Sequence, residues 1–272
     1  MPTKVNILGV YIDSLSINQA IDEIVNASSR PGAKYIAKPY VEFFRKDDEE
    51  IKNILNNAWL NLPDGVALQW AAYFQTTSGS FFQLIKTLFD IVLAPRKINS
   101  VLPEKFAGTN FTWPLIEGAA KKGRSIYLVG SPVNNDVKHT AEVIKDNIAG
   151  INIAGMSPGR DSSGVFSDQL EKQLLADLKR LRPDIVLVGI GFPRQEKLIS
   201  RLAKQLGHGV LIGEGGTFDY DVFGGSLRKA PKWMQRSGIE WLWRLILQPS
   251  RIKRQLAIPI FIWQIYRGNN SK

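Results

Sequence analysis

Short apolar runs alternate with amphipathic stretches through the middle of the chain. "SIYLVGS" (125–131), "DIVLVGIG" (184–191) and "HGVLIGEGG" (208–216) are rich in β-branched residues and close on glycine. Continuous apolar runs of this kind suit strands buried on both faces of a parallel sheet. Between them the spacing predicts helices over Asn134–Ala149, closed by Gly150, over Ser167–Leu181, ended by Pro183, and over Pro193–Leu206, closed by Gly207. Pro193 takes a first-turn position, where a missing N–H is tolerated, and Gly207 is expected in a left-handed cap. Upstream, "NILGVYI", a helix from about Ile17 to Ala27, and "YIAKP" continue the alternation. The pattern predicts an α/β fold with a doubly wound, mainly parallel, Rossmann-like sheet, in which ligands bind beyond the carboxyl ends of the strands.

Two stretches depart from this pattern. Residues 76–103 hold an apolar helix-like segment between Ser/Gly and Pro signals, which reads as a lid, an inserted helix or a second membrane-facing surface. The second is the C-terminal part, 228–272, a basic and partly apolar helical appendage to a core of 1–227. Its "LAIPIFIWQIY" (256–266) is nearly all apolar but is interrupted by Pro259. A bilayer span needs about 20 apolar residues, so this run is too short to cross.

Charge sharpens that picture. Ten of the 35 Lys and Arg lie after Leu227 with Glu240 as the sole acid there, so this segment carries +9 of the chain's +10. Apolar residues beside a basic cluster, with Trp263 and Tyr266 near the end, suit a segment lying in a membrane interface. Core packing of a terminal helix is the second reading, and nucleic-acid binding ranks last. The chain has no cysteine, which excludes disulfides, thiolate metal sites and a thiol nucleophile. "MPTKVNILGVYID" lacks the pattern of a signal peptide. The expectation is a cytoplasmic protein, peripheral on the inner face of the membrane.

Chemistry is sought where the strands end. In "VGIGFPRQEK" (188–197), Gly189 and Gly191 allow a tight turn before a helix N-terminus, a ready anion site. The third glycine of a dinucleotide fingerprint is replaced by Arg194. Gln195 and Glu196 offer edges suited to a base or ribose, or alternatively cap the helix. "GEGGTFDYDVFGG" (213–225) is a second glycine-rich turn, and its Asp219 and Asp221 form a D-x-D that reads more readily as a turn than as a metal site. "LPDGVALQWAA" (62–72) fixes Asp64 between Pro63 and Gly65, as a turn or cap residue or as a general base. His139 and His208 stand without a third partner, so no triad or zinc site is expected.

Taken in order, "LPDGVALQWAA", "PDIVLVGIGFPRQEK", "IGEGGTFDYDVFGG" and "RKAPKWMQRSGIEWLWRLILQPSRIKR" resemble the WecG/TagA/CpsF family of bacterial glycosyltransferases, from about Val5 to Arg254. The resemblance implies inverting transfer of an N-acetylmannosamine-type sugar from UDP to a polyprenyl-diphosphate-linked GlcNAc. The products would be cell-surface polymers such as teichoic acid or capsule. It implies Asp64 as the base, with no metal cofactor. It places the donor along Gly189, Gly191, Pro193, Gln195 and Glu196, and along Gly213, Gly215, Phe218 and Asp219. It implies an appendage that engages the membrane and completes the site. Arg244, Arg251 and Arg254, then Arg228 and Arg236, are the candidates for contact with the acceptor diphosphate.

Three features depart from the family's pattern: "AKPYVEFF" (37–44) lacks a threonine and an asparagine, Asn110 stands where an aspartate is expected, and 76–103 is longer and more apolar. They bear on donor identity more than on reaction class. If the missing groups touch substrate in relatives, Lys38 or Tyr40 must act differently here. The rival readings are an NAD(P)-dependent oxidoreductase, a non-catalytic membrane- or nucleic-acid-binding module, and an inactive family member. Oligomeric state is left open, with a homo-oligomer among the options.

Overall fold

A computed structural model describes residues 3–130, 136–236, 238–249 and 252–270. The chain opens with β1 (Thr3–Ile7) and β2 (Val10–Ser14), an antiparallel pair joined at Leu8 and Gly9. Both turn residues have positive φ (50° and 86°), which suits a two-residue hairpin turn. "NILGVYI" is therefore a hairpin outside the main sheet and does not continue its strand–helix alternation.

The main sheet has six strands: β3 (Lys34–Ala37), β4 (Leu60–Asn61), β5 (Ser125–Val129), β6 (Asn152–Ser157), β7 (Ile185–Val188) and β8 (Val210–Gly213). They lie in the order β4-β3-β8-β7-β5-β6, and every neighbouring pair is parallel. The apolar runs become double-faced strands by the two-residue period of β structure. In β7, Ile185 and Leu187 enter one core while Val186 and Val188 enter the other. The doubly wound reading holds, with strands shorter than their apolar runs.

The helices around the sheet, with α4 and α5 packed on α3, are α1 (Ile17–Ala27), α2 (Glu49–Asn56), α3 (Val66–Phe74), α4 (Phe81–Leu93), α5 (Pro95–Ile98), α6 (Gly108–Lys121), α7 (Val137–Asn147), α8 (Asp168–Leu181) and α9 (Arg194–Ala203). Local chemistry sets their ends. Ser16 and Gln19 form a reciprocal capping box at α1, and Ser167 accepts from the Leu170 N–H to start α8. The predicted start at Asn134 lies outside the described residues, and α7 is capped by Asp136.

Gly207 does not take the left-handed cap. α9 ends earlier, on right-handed Lys204, and the positive φ falls on Gly209, whose Cβ position lies 2.7 Å from the Pro183 carbonyl.

The remaining helices are α10 (Lys232–Arg236), α11 (Glu240–Leu247), α12 (Ile252–Gln255) and α13 (Ala257–Asn270). Pro259 does not break the last apolar run. The helix begins at Ala257, so the proline sits in the first turn, where its absent N–H has no intrahelical partner to lose. Ala257, Phe261 and Ile265 are fully buried, and the Phe261 ring packs 5.3 Å from Phe44. The end of the appendage is thus part of the core.

Candidate active site

Four adjacent strands, β4, β3, β8 and β7, deliver side chains to one edge of the sheet. Lys38 follows β3, Asp64 lies just past β4, Glu214 follows β8, and the Gly189 turn follows β7. Lys38 and Glu214 are buried, and Lys38 Nζ donates to Glu214 Oε2 at 2.5 Å. Thr112 Oγ1, from α6, donates to the same oxygen at 2.6 Å. A buried charge persists only when paired and hydrogen-bonded, and this pair meets that condition. Glu214 Oε1 nonetheless has no hydrogen-bond partner among the described residues.

Asp64 is held by its backbone. Its N–H donates to the Pro39 carbonyl (2.9 Å), and the Phe106 N–H donates to the Pro63 carbonyl (2.8 Å). Gly65, with φ of 99°, then turns the chain into α3. Protein crowds the carboxyl group, although the residue as a whole is only half-buried. Burial pushes its pKa up to about 6; Lys38 pulls it down, Glu240 pushes it up, Arg244 pulls it down and Glu214 adds a smaller push upward. A carboxylate poised there can accept a proton near neutral pH.

The two glycine-rich turns are stapled together. Gln195 Oε1 accepts from the Gly191 N–H (3.2 Å) and the Gly215 N–H (2.9 Å), and its Nε2 donates to Glu196 Oε1 (2.8 Å). Both side chains are buried and face inward, so the edges read as reaching for a base or ribose are used within the protein. A Cβ on Gly213 would meet Gln195 Nε2 at 2.8 Å, and one on Gly189 would meet the Phe218 ring at 2.8 Å. Gly191 and Gly215 have positive φ, and Pro193 follows a cis peptide to cap α9. Burial raises Glu196 to about 7 against the lowering effect of Gln195, and its Oε2 has no hydrogen-bond partner among the described residues. Asp219 is buried while Asp221 is exposed, so the D-x-D carboxylates occupy different environments.

The appendage closes over these turns. A Cβ on Gly216 would lie 2.7 Å from Arg244 Nη2 and 2.9 Å from Asp219 Oδ2, and the Arg244 guanidinium stands 5.3 Å from the centre of the Tyr220 ring. Asp219 Oδ1 and Arg244 Nε are buried without hydrogen-bond partners among the described residues. Arg254 lies on the rim, 3.8 Å from Glu42, whose Oε2 accepts from the Tyr40 hydroxyl (2.7 Å). The Tyr40 ring in turn meets Phe192. Arg228 is exposed, and its carbonyl accepts from Trp243 Nε1. Arg236 ends α10, and Arg251 lies outside the described residues. Asn110 donates to Gln235 (3.2 Å), tying α6 to α10.

Sequence reasoning passed over Glu214 and Thr112. Glu214 sits among glycines that drew attention to turn shape, and Thr112 lies mid-helix without a motif. The signal for Glu214 was its place immediately after an apolar run.

The sequence pattern of the glycosyl transferase WecG/TagA/CpsF family matches residues 5–82 and 89–272. The chain belongs to this family. It is 28% identical over 263 residues to a Bacillus subtilis (strain 168) protein, covering 96% of this chain and 86% of that one. It is also 28% identical over 236 residues to a protein of Bacillus spizizenii (strain ATCC 23059 / NRRL B-14472 / W23), covering 86% and 79%. Both relatives are named N-acetylglucosaminyldiphosphoundecaprenol N-acetyl-beta-D-mannosaminyltransferase. The protein is a glycosyltransferase by family, and the oxidoreductase alternative finds no support.

Proposed function

We propose that this family member transfers an N-acetylmannosamine-type sugar from UDP to a polyprenyl-diphosphate-linked GlcNAc. The observation that carries the reading is Asp64, a half-buried residue at the carboxyl end of the sheet whose carboxyl group has a pKa of about 6 under the charges of Lys38, Glu240, Arg244 and Glu214. Asp64 takes the proton from the acceptor hydroxyl as that oxygen attacks the anomeric carbon. The bond from that carbon to the UDP phosphate oxygen breaks on the opposite face, which inverts the centre. Negative charge develops on departing UDP beside the N-terminus of α9 and the Arg244 guanidinium. Preorganised donors of this kind lower the barrier where charge appears. Gln195 and Glu196 act by shaping the two turns, and Lys38 with Glu214 fixes the floor beneath them.

The acceptor sits on a lipid, so the basic and apolar appendage belongs at a membrane surface, with Arg244 and Arg254 directed to the diphosphate. Among the described residues, no helix is long and apolar enough to cross a membrane. The test is UDP release by the full chain with short-chain polyprenyl-diphosphate-GlcNAc and a panel of UDP-sugars. Release that needs the acceptor and is fastest with UDP-ManNAc is expected. Equal release without the acceptor, or with every donor, would overturn the assignment.

A further inference from the structure

α4 turns an unusual face to the outside. Leu84 and Thr87 are buried, Leu88 and Ile91 pack beside them, and the Trp70 indole N–H donates to Thr87 Oγ1 (3.0 Å). That stripe accounts for how the helix is held. The opposite arc of a water-facing helix normally carries charged and polar residues. Here it carries Phe81, Phe82, Ile85, Phe89, Val92 and Leu93, all exposed, from 40% at Ile85 to 77% at Leu93. Lys86 is the one charged side chain exposed on the helix. An apolar surface of this kind marks a contact with a partner or a membrane. The family match skips residues 83–88, which lie within this helix.

Three observations select the occupant. Asp90 is the only acid from 76 to 103, whereas Lys86, Arg96 and Lys97 lie along or just after the helix, so the segment suits an anionic surface. The apolar strip also continues into the appendage. The Phe81 ring lies 6.4 Å from Tyr266, which is 5.8 Å from Trp263, and Ile252, Leu256, Ile260 and Trp263 are exposed along α12 and α13. Tryptophan and tyrosine beside basic residues favour the headgroup level of a bilayer. Finally, a 13-residue helix is about 20 Å long, too short to span and suited to lying flat.

We propose that α4 is a second lipid-docking element, which lies in the interface of an anionic bilayer with Phe82, Phe89 and Leu93 among the acyl chains. This rests on the reading that the acceptor is lipid-linked. Docking there is coupled to the catalytic cleft. A Cβ on Gly238 would meet Ile91 of α4 at 3.1 Å and Val66 at 3.2 Å. Val66 lies two residues after Asp64, and Gly238 lies just before α11, which carries Arg244. Seating α4 on the membrane therefore holds the base-bearing turn and the arginine-bearing helix at a set height above the lipid.

The absence of cysteine allows a single environment-sensitive dye at Phe89→Cys, with Lys122→Cys at the amino-terminal edge of the sheet as the comparison site. Vesicles of phosphatidylcholine containing phosphatidylglycerol should shift the dye at position 89 to the blue and leave that at 122 unchanged. In co-sedimentation, Phe82→Ser with Phe89→Ser should weaken vesicle binding by about tenfold or more. Its UDP release with the short-chain acceptor should stay within about twofold of the parent, which also shows that the variant folds.

Undiminished vesicle binding by the double variant would overturn the proposal. So would a dye at 89 that is already buried without lipid in a concentration-dependent dimer, since the face would then be covered by a second copy. If the parent binds vesicles through this face yet releases no UDP, docking stands and the catalytic reading falls. If transfer proceeds but the double variant binds as well as the parent, only docking falls.

Discussion

Asp64 is held between opposing charges, and each neighbour gives a signed test. With Asp64 as the proposed base, active in its ionised form, a pKa of about 6 predicts that kcat/KM rises through about pH 6 and levels off above it. Glu240 raises that pKa and Arg244 lowers it, so the inflection should move down in Glu240→Gln and up in Arg244→Gln. Rate profiles on the three proteins check this, and an inflection that moves the same way in both variants would contradict it. Glu196 leaves a different trace. Its pKa rises from 4.5 to about 7 on folding, so between those values the native state binds more protons than the unfolded chain. Stability should therefore fall as pH rises from 4.5 to 7, by on the order of 3 kcal/mol from this group. Thermal unfolding of Glu196→Gln should lack that slope. At this scale the sequence made Asp64 legible through its Pro-Asp-Gly turn. It hid the inward turn of Gln195 and Glu196, which depends on the space left by Gly213, and it hid the pairing of Lys38 with Glu214.

The elements that carried a strong period were readable. α1 and α8 fall where spacing and caps place them, and β5, β7 and β8 lie inside their apolar runs. β4 has only two residues and β6 is an edge strand with several part-exposed positions, so neither leaves a continuous apolar signature. The β1–β2 hairpin was masked because Leu8 occupies a turn position that usually goes to Asn or Asp. α13 is a subtler case. Its composition suggested an interfacial segment, and its structure adds an inner stripe of Ala257, Phe261 and Ile265 to the exposed one. Phe261→Ala should cost about 3–5 kcal/mol in a denaturant titration. Truncation before Ile239 should expose core surface rather than leave an intact soluble domain.

For the whole molecule, the candidate site draws on residues spread from Lys38 to Arg254, brought together by a sheet in which the neighbouring strands β3 and β8 come from opposite ends of the chain. Lys38 and Glu214 are 176 positions apart, a separation that no local pattern bridges. Strand order supplies what spacing cannot: the carboxyl ends of four neighbouring strands, with the basic appendage folded across them. The same arrangement sets exposed apolar residues of α4 beside those of α12 and α13, consistent with a cleft that works at a lipid surface. On the proposed function, Asp64 is the base of a UDP-releasing transfer. Acceptor-dependent UDP release from the full chain and from Asp64→Asn at one pH above 7 decides whether this holds. Release should need the acceptor and fall about a hundredfold or more in the variant, with UDP binding retained. Undiminished release by Asp64→Asn would contradict it.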